Sequence, residues 1–570
     1  MATSQSAEST YADESAPWVD GLTIGQTLRR TAQKYGSQDA YVFHETGLRS
    51  SWEQLDRDAD SMARGLLAFG FRPGDHFGIW ATNVPEWVIL QYATARIGVV
   101  LVTINPAYRP TELSYVIRQA DIKGIAVIDR FRSDDYMAVL NEVCPEIKEA
   151  ADGTVSSSKF PKLERVIQLR GDVNQGMLCR DDLVEAASGV TVEQLRGVES
   201  TLSAIDPINI QYTSGTTGRP KGAMLSHRNL LMNGYYSGAC QNLTDHDRIG
   251  LPVPLYHCFG CVLGSLCCVV HGAVMVFPSE GFNPRSTLSA IEAEGVTSIY
   301  GVPTMFIAQL ECQDFLHRDL SSLRTGIMAG SACPVELMNR VINDMGAAEI
   351  TIGYGQTEAS PLMTQTRPDD PIELRVGTVG RTIPGFEARI VDPETGENLG
   401  DDQPGEFCGR GHGIMLGYYN MPKQTAEAVD VDGWLHTGDV AERLSNGYFR
   451  ITGRLTDMII RGGENIYPRE IEERLYAHAA VEDVQVVGVP DRKLGEQVLA
   501  WVKLRSDAHV TEKELVEFCR ETLAHFKVPQ YWKFVNDFPT TVTGKIQKYR
   551  IRETAIDELG LQERTESNAS

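Results

Sequence analysis

The chain has 570 residues, 42% hydrophobic and 23% charged, a balance that excludes a disordered chain and predicts roughly two to four folding units. Fifty-three Lys and Arg stand against 76 Asp and Glu, a net charge of −23, which excludes nucleic acid as a partner because phosphate contacts need a net basic surface. Eleven cysteines, an odd number scattered along the chain, exclude a disulfide framework.

Residues 1–17 carry Glu8, Asp13 and Glu14 but no Lys or Arg and no apolar stretch. They are expected to be a flexible tail rather than a signal or transit peptide. From Leu22 to Asp129, helical spacing over 52–69 and 86–97 predicts amphipathic helices. Between them, β-rich runs at 77–81, 99–104 and 125–128 predict strands, and the alternation implies a mostly parallel, doubly wound sheet.

A second such alternation spans 226–352 and predicts a second sheet of related build. Within it the apolar run 258–277 is interrupted by His271 and Gly272, too early for an integral membrane segment. Cys258 and Cys261 form a C-x-x-C with Cys267 and Cys268 close by. No second pair follows at zinc spacing, so they are expected to be small apolar residues of a buried helix over 258–270. Reduced thiols and the missing membrane segment predict a cytoplasmic protein.

From Val379 to Ile451, short β-runs at 388–391, 405–408 and 448–451 alternate with Gly, Pro, Asn and Asp, which predicts a small antiparallel sheet. After Arg454 a compact α+β pattern follows: helix 468–477, strands 483–489 and 497–504, helix 511–523.

Chemistry concentrates in Tyr212, Thr213, Ser214, Gly215, Thr216, Thr217, Gly218, Arg219, Pro220, Lys221 and Gly222. Successive hydroxyls and glycines let a backbone turn tightly and aim N–H groups at one anion, and Lys221 adds a point charge. A Walker loop would place Lys directly after Gly; here Arg219 and Pro220 intervene, so the loop binds phosphate in another way.

This segment resembles the phosphate-binding signature of the adenylate-forming superfamily, which comprises acyl-CoA synthetases, peptide-synthetase adenylation domains and beetle luciferases. The likeness continues in order through Gly353-Tyr354-Gly355-Gln356-Thr357-Glu358, Thr437-Gly438-Asp439, Gly453-Arg454, Arg461-Gly462-Gly463-Glu464-Asn465 and the loop 539–545 that ends in Lys545. Asn105-Pro106-Ala107-Tyr108, Leu255-Tyr256-His257-Cys258 and the stretch 459–468 are most similar to medium-chain fatty acyl-CoA ligases.

The resemblance implies an α/β fold: a large N-terminal domain (18–453) of two doubly wound αβα subdomains plus a small β-barrel-like subdomain, a hinge (454–458), and a small mobile α+β C-terminal domain (459–570). It implies a small-molecule carboxylic acid, ATP and coenzyme A as substrates and Mg2+ as cofactor. Thr213 to Lys221 would hold the β- and γ-phosphates, Thr357 the α-phosphate and Glu358 the metal. Tyr354 and Gly355 would face adenine, with Gly330, Ser331 and Ala332 on its other side; Asp439 and Arg454 would hold the ribose.

By the same likeness, Lys545 would bridge carboxylate and α-phosphate in adenylation. A domain rotation would then bring Arg461, Gly462 and Gly463 to the pantetheine arm, with His257 as a gate at the acyl carboxylate. The pivot, usually Asp or Lys in the family, is Thr456 here. No carrier segment follows Lys545, which leaves a separate carrier protein, or an aryl-CoA product, as alternatives. A kinase is disfavoured by the lack of Gly-x-Gly-x-x-Gly, His-Arg-Asp and Asp-Phe-Gly motifs, and a binding scaffold by the intact Lys221, Glu358 and Lys545. No motif encodes acyl chain length or oligomeric state.

Overall fold

The computed structural model describes residues 16–150, 153–213, 220–331, 333–462, 464–506, 508–540 and 546–561. The expected N-terminal tail lies almost wholly outside the described residues. An eight-stranded sheet has the order Gly417–Tyr418, Lys221–Ser226, Pro207–Thr213, Val100–Thr103, His76–Trp80, Ile122–Val127, Arg165–Gln168, Leu178–Cys179. Its last six strands run parallel and the first two are added antiparallel.

A nine-stranded sheet follows the same plan. Glu349–Gly355, Thr325–Ala329, Ser298–Gly301, Arg248–Gly250, Val274–Phe277 and Asp39–Phe43 are parallel, and antiparallel strands close both edges. Helices cover these sheets because each supplies one apolar stripe. In Trp52–Ala68, Ser51 caps the N-terminus, and Trp52, Leu55, Ala59, Met62 and Leu66 fall on the buried face.

The helix expected over 86–97 is present as Pro85–Arg96, but it is not amphipathic: every residue from Trp87 to Arg96 is buried. Other elements enclose it on several sides. It packs on helices Ile24–Tyr35 and Trp52–Ala68, and Gln91 and Tyr92 hydrogen-bond to the backbone at Cys261 and Ser265. Arg96 is buried there against Asp56 and Asp60, so its charge is paired rather than solvated.

Phe386–Val391, Gly405–Gly411, Leu435–Arg443 and Phe449–Arg454 form an antiparallel sheet in linear order. One continuous apolar core runs from Val19 to Phe449, and separate cores begin at Ile459. Those belong to a sheet of Glu464–Ile466, Ile459–Arg461, Gly495–Leu504 and Val481–Asp491, which Tyr531–Phe534 joins in parallel. Helices Pro468–Tyr476, Glu512–Arg520 and Lys548–Leu559 complete that unit. Among the described residues no helix is long and apolar enough to cross a membrane.

Candidate active site

Strands Thr325–Ala329 and Glu349–Gly355 are parallel neighbours with Ala329 opposite Gly353. The chain past their carboxyl ends supplies Gly330 and Ser331 from one, and Gln356, Thr357 and Glu358 from the other. Ligand sites of open α/β sheets form at this edge. Gly355 is obligatory, because a Cβ there would lie 1.8 Å from the Pro361 carbonyl oxygen. One 3-10 turn, Thr357–Ala359, then directs Glu358 inward, where it is 8% exposed.

The Tyr418 hydroxyl donates to Glu358 Oε1 at 2.7 Å, and the Met415 N–H donates to the Glu358 carbonyl at 2.8 Å. Tyr418 belongs to the other sheet: its strand pairs with Lys221–Ser226, and the Lys221 ammonium stands 4.5 Å from the Tyr418 ring centroid. Burial, with the adjoining Glu358 carboxylate, pushes the Tyr418 phenol well above its ordinary pKa, so it remains a donor. Thr213 and Lys221 stand opposite one another on the antiparallel strands Pro207–Thr213 and Lys221–Ser226.

Tyr418 thus links the lysine of one sheet to the carboxylate of the other. The second oxygen of Glu358 takes no hydrogen bond among the described residues. A single carboxylate oxygen of this kind fits Mg2+, which binds through one or two carboxylates and fills its remaining positions with phosphate and water oxygens.

A second cluster centres on Asp439, 4% exposed. Its Oδ2 accepts from the Tyr354 hydroxyl at 2.8 Å and from Gln356 Nε2 at 3.2 Å, and its Oδ1 pairs with Arg454 Nε at 2.8 Å. Asp439 and Arg454 are opposite one another on adjacent strands. Burial first, and Asp439 second, hold the Tyr354 phenol protonated, while Asp439 pushes the Arg454 pKa up. The Thr437-Gly438-Asp439 turn is pinned from behind: the Gly438 N–H donates to Glu406 Oε1 at 2.9 Å, and Gly438 sits at φ 69°.

His257 caps the short helix Cys258–Gly260, its Nδ1 accepting from the Phe259 N–H at 3.1 Å, which leaves the ring proton on Nε2. Cys258 Sγ lies 3.8 Å from Thr357 Oγ1, so the His257 segment abuts the motif that carries Glu358. The expected helix over 258–270 extends to His271 and contains a π-helical segment, Cys261–Leu266; its four cysteines are buried and unlinked, as expected of apolar packing.

Arg461 and Gly462 contact their own unit, through Gln497 Oε1 at 2.6 Å and the Leu494 carbonyl at 2.7 Å. Thr456 is exposed, between Leu455, whose N–H donates to the Gly438 carbonyl at 2.8 Å, and Met458, whose N–H reaches back to the Arg454 carbonyl at 3.1 Å. Residues 214–219, Ala332, Gly463 and Lys545 lie outside the described residues. The sequence reading missed Gln356, Tyr418 and Glu406. Gln356 stands inside a quoted motif and was legible; Tyr418 and Glu406 carry no local signal.

The AMP-binding enzyme family matches residues 28–419, and the AMP-binding enzyme C-terminal domain matches residues 470–545. This chain belongs to the AMP-binding enzyme family, on its acyl-CoA synthetase branch. Its relatives include YngI of Bacillus subtilis (strain 168), a candidate acyl-CoA synthetase 48% identical over 539 residues, with 95% of this chain and 98% of YngI covered. The mitochondrial medium-chain acyl-CoA ligase ACSF2 of Danio rerio is 43% identical over 545 residues, covering 95% and 90%.

Among solved structures, ATP-bound MatB of Rhodopseudomonas palustris has a TM-score of 0.80 at 29% identity, covering 94% of this chain and 100% of MatB. Its apo form scores 0.71 at the same identity and coverage. The anthranilate CoA ligase AuaEII bound to anthranoyl-AMP scores 0.83 at 25% identity, covering 95% and 98%. The chain is a ligase of this family.

Proposed function

We propose that the chain joins a fatty acid, medium-chain as the leading class, to coenzyme A using ATP, and releases AMP and pyrophosphate through an acyl-adenylate. The observation that carries this reading is the Lys221–Tyr418–Glu358 bridge between the sheets, beside the Asp439 cluster. It gathers a cation and a metal-holding carboxylate beside a ribose acceptor, inside a chain of net charge −23. Family membership and the ACSF2 likeness support the substrate class.

In the first half-reaction the acid's carboxylate oxygen attacks the α-phosphorus of ATP and the bond to pyrophosphate breaks. Lys221 and the loop before it hold the departing phosphates, and Thr357 donates to the α-phosphate. When bound, Mg2+ neutralises phosphate charge at Glu358. Asp439 and Arg454 orient the ribose, and Lys545 bridges the two reacting groups. In the second half-reaction the CoA thiol attacks the acyl carbon, AMP leaves, and the thiol proton passes to solvent.

Rotation about Thr456 exchanges Lys545 for the Arg461–Gly463 face. The Leu455 N–H holds the near side of Thr456 to the Gly438 carbonyl, and the Met458 N–H bond to the Arg454 carbonyl, which spans Thr456, would open in the rotation. The higher TM-score against ATP-bound than apo MatB supports an adenylation-type orientation here. Eleven free cysteines favour a reducing compartment.

The test measures pyrophosphate release and thiol loss together, with and without CoA, for acids from acetate to palmitate and for benzoate. Matched release and loss peaking at medium chain length is the expected result. A benzoate maximum replaces the substrate class, and release without thiol loss sends the acyl group to a carrier protein instead.

A further inference from the structure

We propose that Glu406, Cys408 and His436 form a binding site for a soft divalent cation of the zinc class, separate from the nucleotide site, and that filling it weakens nucleotide binding. Cys408 and His436 are direct cross-strand partners on strands Gly405–Gly411 and Leu435–Arg443, and Glu406 shares the Cys408 face two residues earlier. A register shift in this strand pair falls between Glu406 and Cys408.

His436 Nδ1 lies 2.8 Å from Glu406 Oε2 and 3.5 Å from Cys408 Sγ, and all three ligand atoms fall within 4.8 Å of one another. In a tetrahedral site with Zn–S of ~2.3 Å and Zn–N of ~2.0 Å, the sulfur and nitrogen vertices stand roughly 3.5 Å apart. The observed nitrogen–sulfur spacing matches that geometry. The nitrogen–oxygen spacing is that of a hydrogen bond, which the ion would replace.

The surroundings also suit a metal. Cys408 is fully buried and Glu406 nearly so, while the His436 side chain is 32% exposed and gives an entry path. Asp430 Oδ2 stands 3.7 Å from the outer nitrogen of His436, beyond hydrogen-bond range, and a small shift on metal binding would form the carboxylate–histidine bond that orients a ligating imidazole. Arg389, paired with Asp430, acts on the Cys408 thiol and offsets part of the site's negative charge. Binding releases the Cys408 thiol proton and the proton shared by His436 and Glu406, with no change of oxidation state.

The coupling to nucleotide runs through Glu406. Its second oxygen holds the Gly438 N–H, so a carboxylate drawn onto an ion shifts the turn that presents Asp439. This second half of the proposal rests on the assignment of Asp439 to ribose; metal binding itself does not.

The test is titration of the whole protein with Co2+. A single-equivalent thiolate-to-cobalt charge-transfer band, displaced by Zn2+ and lost in both C408S and C408A, is expected, and D430N should weaken cobalt binding about 10-fold. No band in wild type, or a band that survives in C408S from the cysteines at 258–268, overturns the site. In parallel, Zn2+ at fixed Mg2+ should raise the KM for ATP roughly fivefold or more in wild type but not in C408S. An unchanged KM beside an intact cobalt band overturns the inhibitory half. A protein that lacks acyl-CoA ligase activity yet shows the band refutes the proposed function and leaves the site standing.

Discussion

Tyr418 donates one hydrogen bond to Glu358 and lends its ring to Lys221, two contacts that a substitution can separate. Tyr418→Phe keeps the ring beneath the ammonium and removes only the donor. A hydrogen bond to a charged group contributes about 1.5–3 kcal/mol, so adenylation should fall roughly 10- to 100-fold if Glu358 is needed in that orientation. The Mg2+ concentration for half-maximal pyrophosphate release should rise with it; an unchanged Mg2+ requirement would mean that Tyr418 packs against Glu358 without orienting it. Residues of this kind also mark where sequence reading stops. Tyr354, Glu358 and Asp439 were legible because each stands inside a short motif with its own chemistry. Tyr418 acts on a residue 60 positions away, and its role exists only once two sheets meet.

Elements were legible to within a few residues wherever periodicity was strong. The helix expected over 468–477 is Pro468–Tyr476, and the strand expected over 77–81 is His76–Trp80. What the sequence misassigned was environment: Pro85–Arg96 is buried all round because neighbours cover the face expected to be wet. Helix His227–Ala239 raises a matching question of burial, and here it becomes a pH prediction. His227 Nδ1 accepts from the Ile24 N–H at 3.1 Å and so joins this helix to Ile24–Tyr35. Burial pulls His227 down to about 3, and burial likewise pulls His412, stacked on Tyr236, down to about 4. Both folded values lie below the unfolded ~6.5, so the unfolded chain binds protons that the folded chain refuses. Stability is therefore complete above ~6.5 and declines as pH falls toward 3 to 4, by ~2 kcal/mol per histidine at pH 5. Hydrogen exchange at Ile24–Tyr35, corrected for intrinsic rates, should accelerate between pH 7 and pH 5, and His227→Asn should remove much of that acceleration. Equal protection at both pH values would show that His227 stays uncoupled from unfolding.

At the scale of the whole molecule the sequence proposes a hinge at 454–458 but no resting orientation, because that balance would depend on contacts between units that no local pattern records. One such contact is visible. Arg469, on helix Pro468–Tyr476, donates to the Ile451 carbonyl of the large unit at 2.8 Å. The Arg505–Glu311 pair, at 4.0 Å and partly exposed, adds little. The two ends of the Arg469 bond lie on either side of Thr456, so a large rotation there separates them. With a neutral pivot, this bond should count for more than it would beside a charged one. Arg469→Ala should therefore slow adenylation several-fold, by the ~1 kcal/mol of one hydrogen bond, and leave thioester formation from supplied acyl-AMP unchanged or faster. Two further variants calibrate the comparison. Lys545→Ala should cripple adenylation and spare the thioester half; Gly463→Leu should do the reverse, since a side chain would fill the pantetheine path. Separate assays of the two half-reactions decide among these. If Arg469→Ala slows both halves equally, the bond stabilises the fold instead of biasing an orientation. If Lys545→Ala and Gly463→Leu do so as well, one fixed arrangement performs both reactions and the rotation is lost from the mechanism.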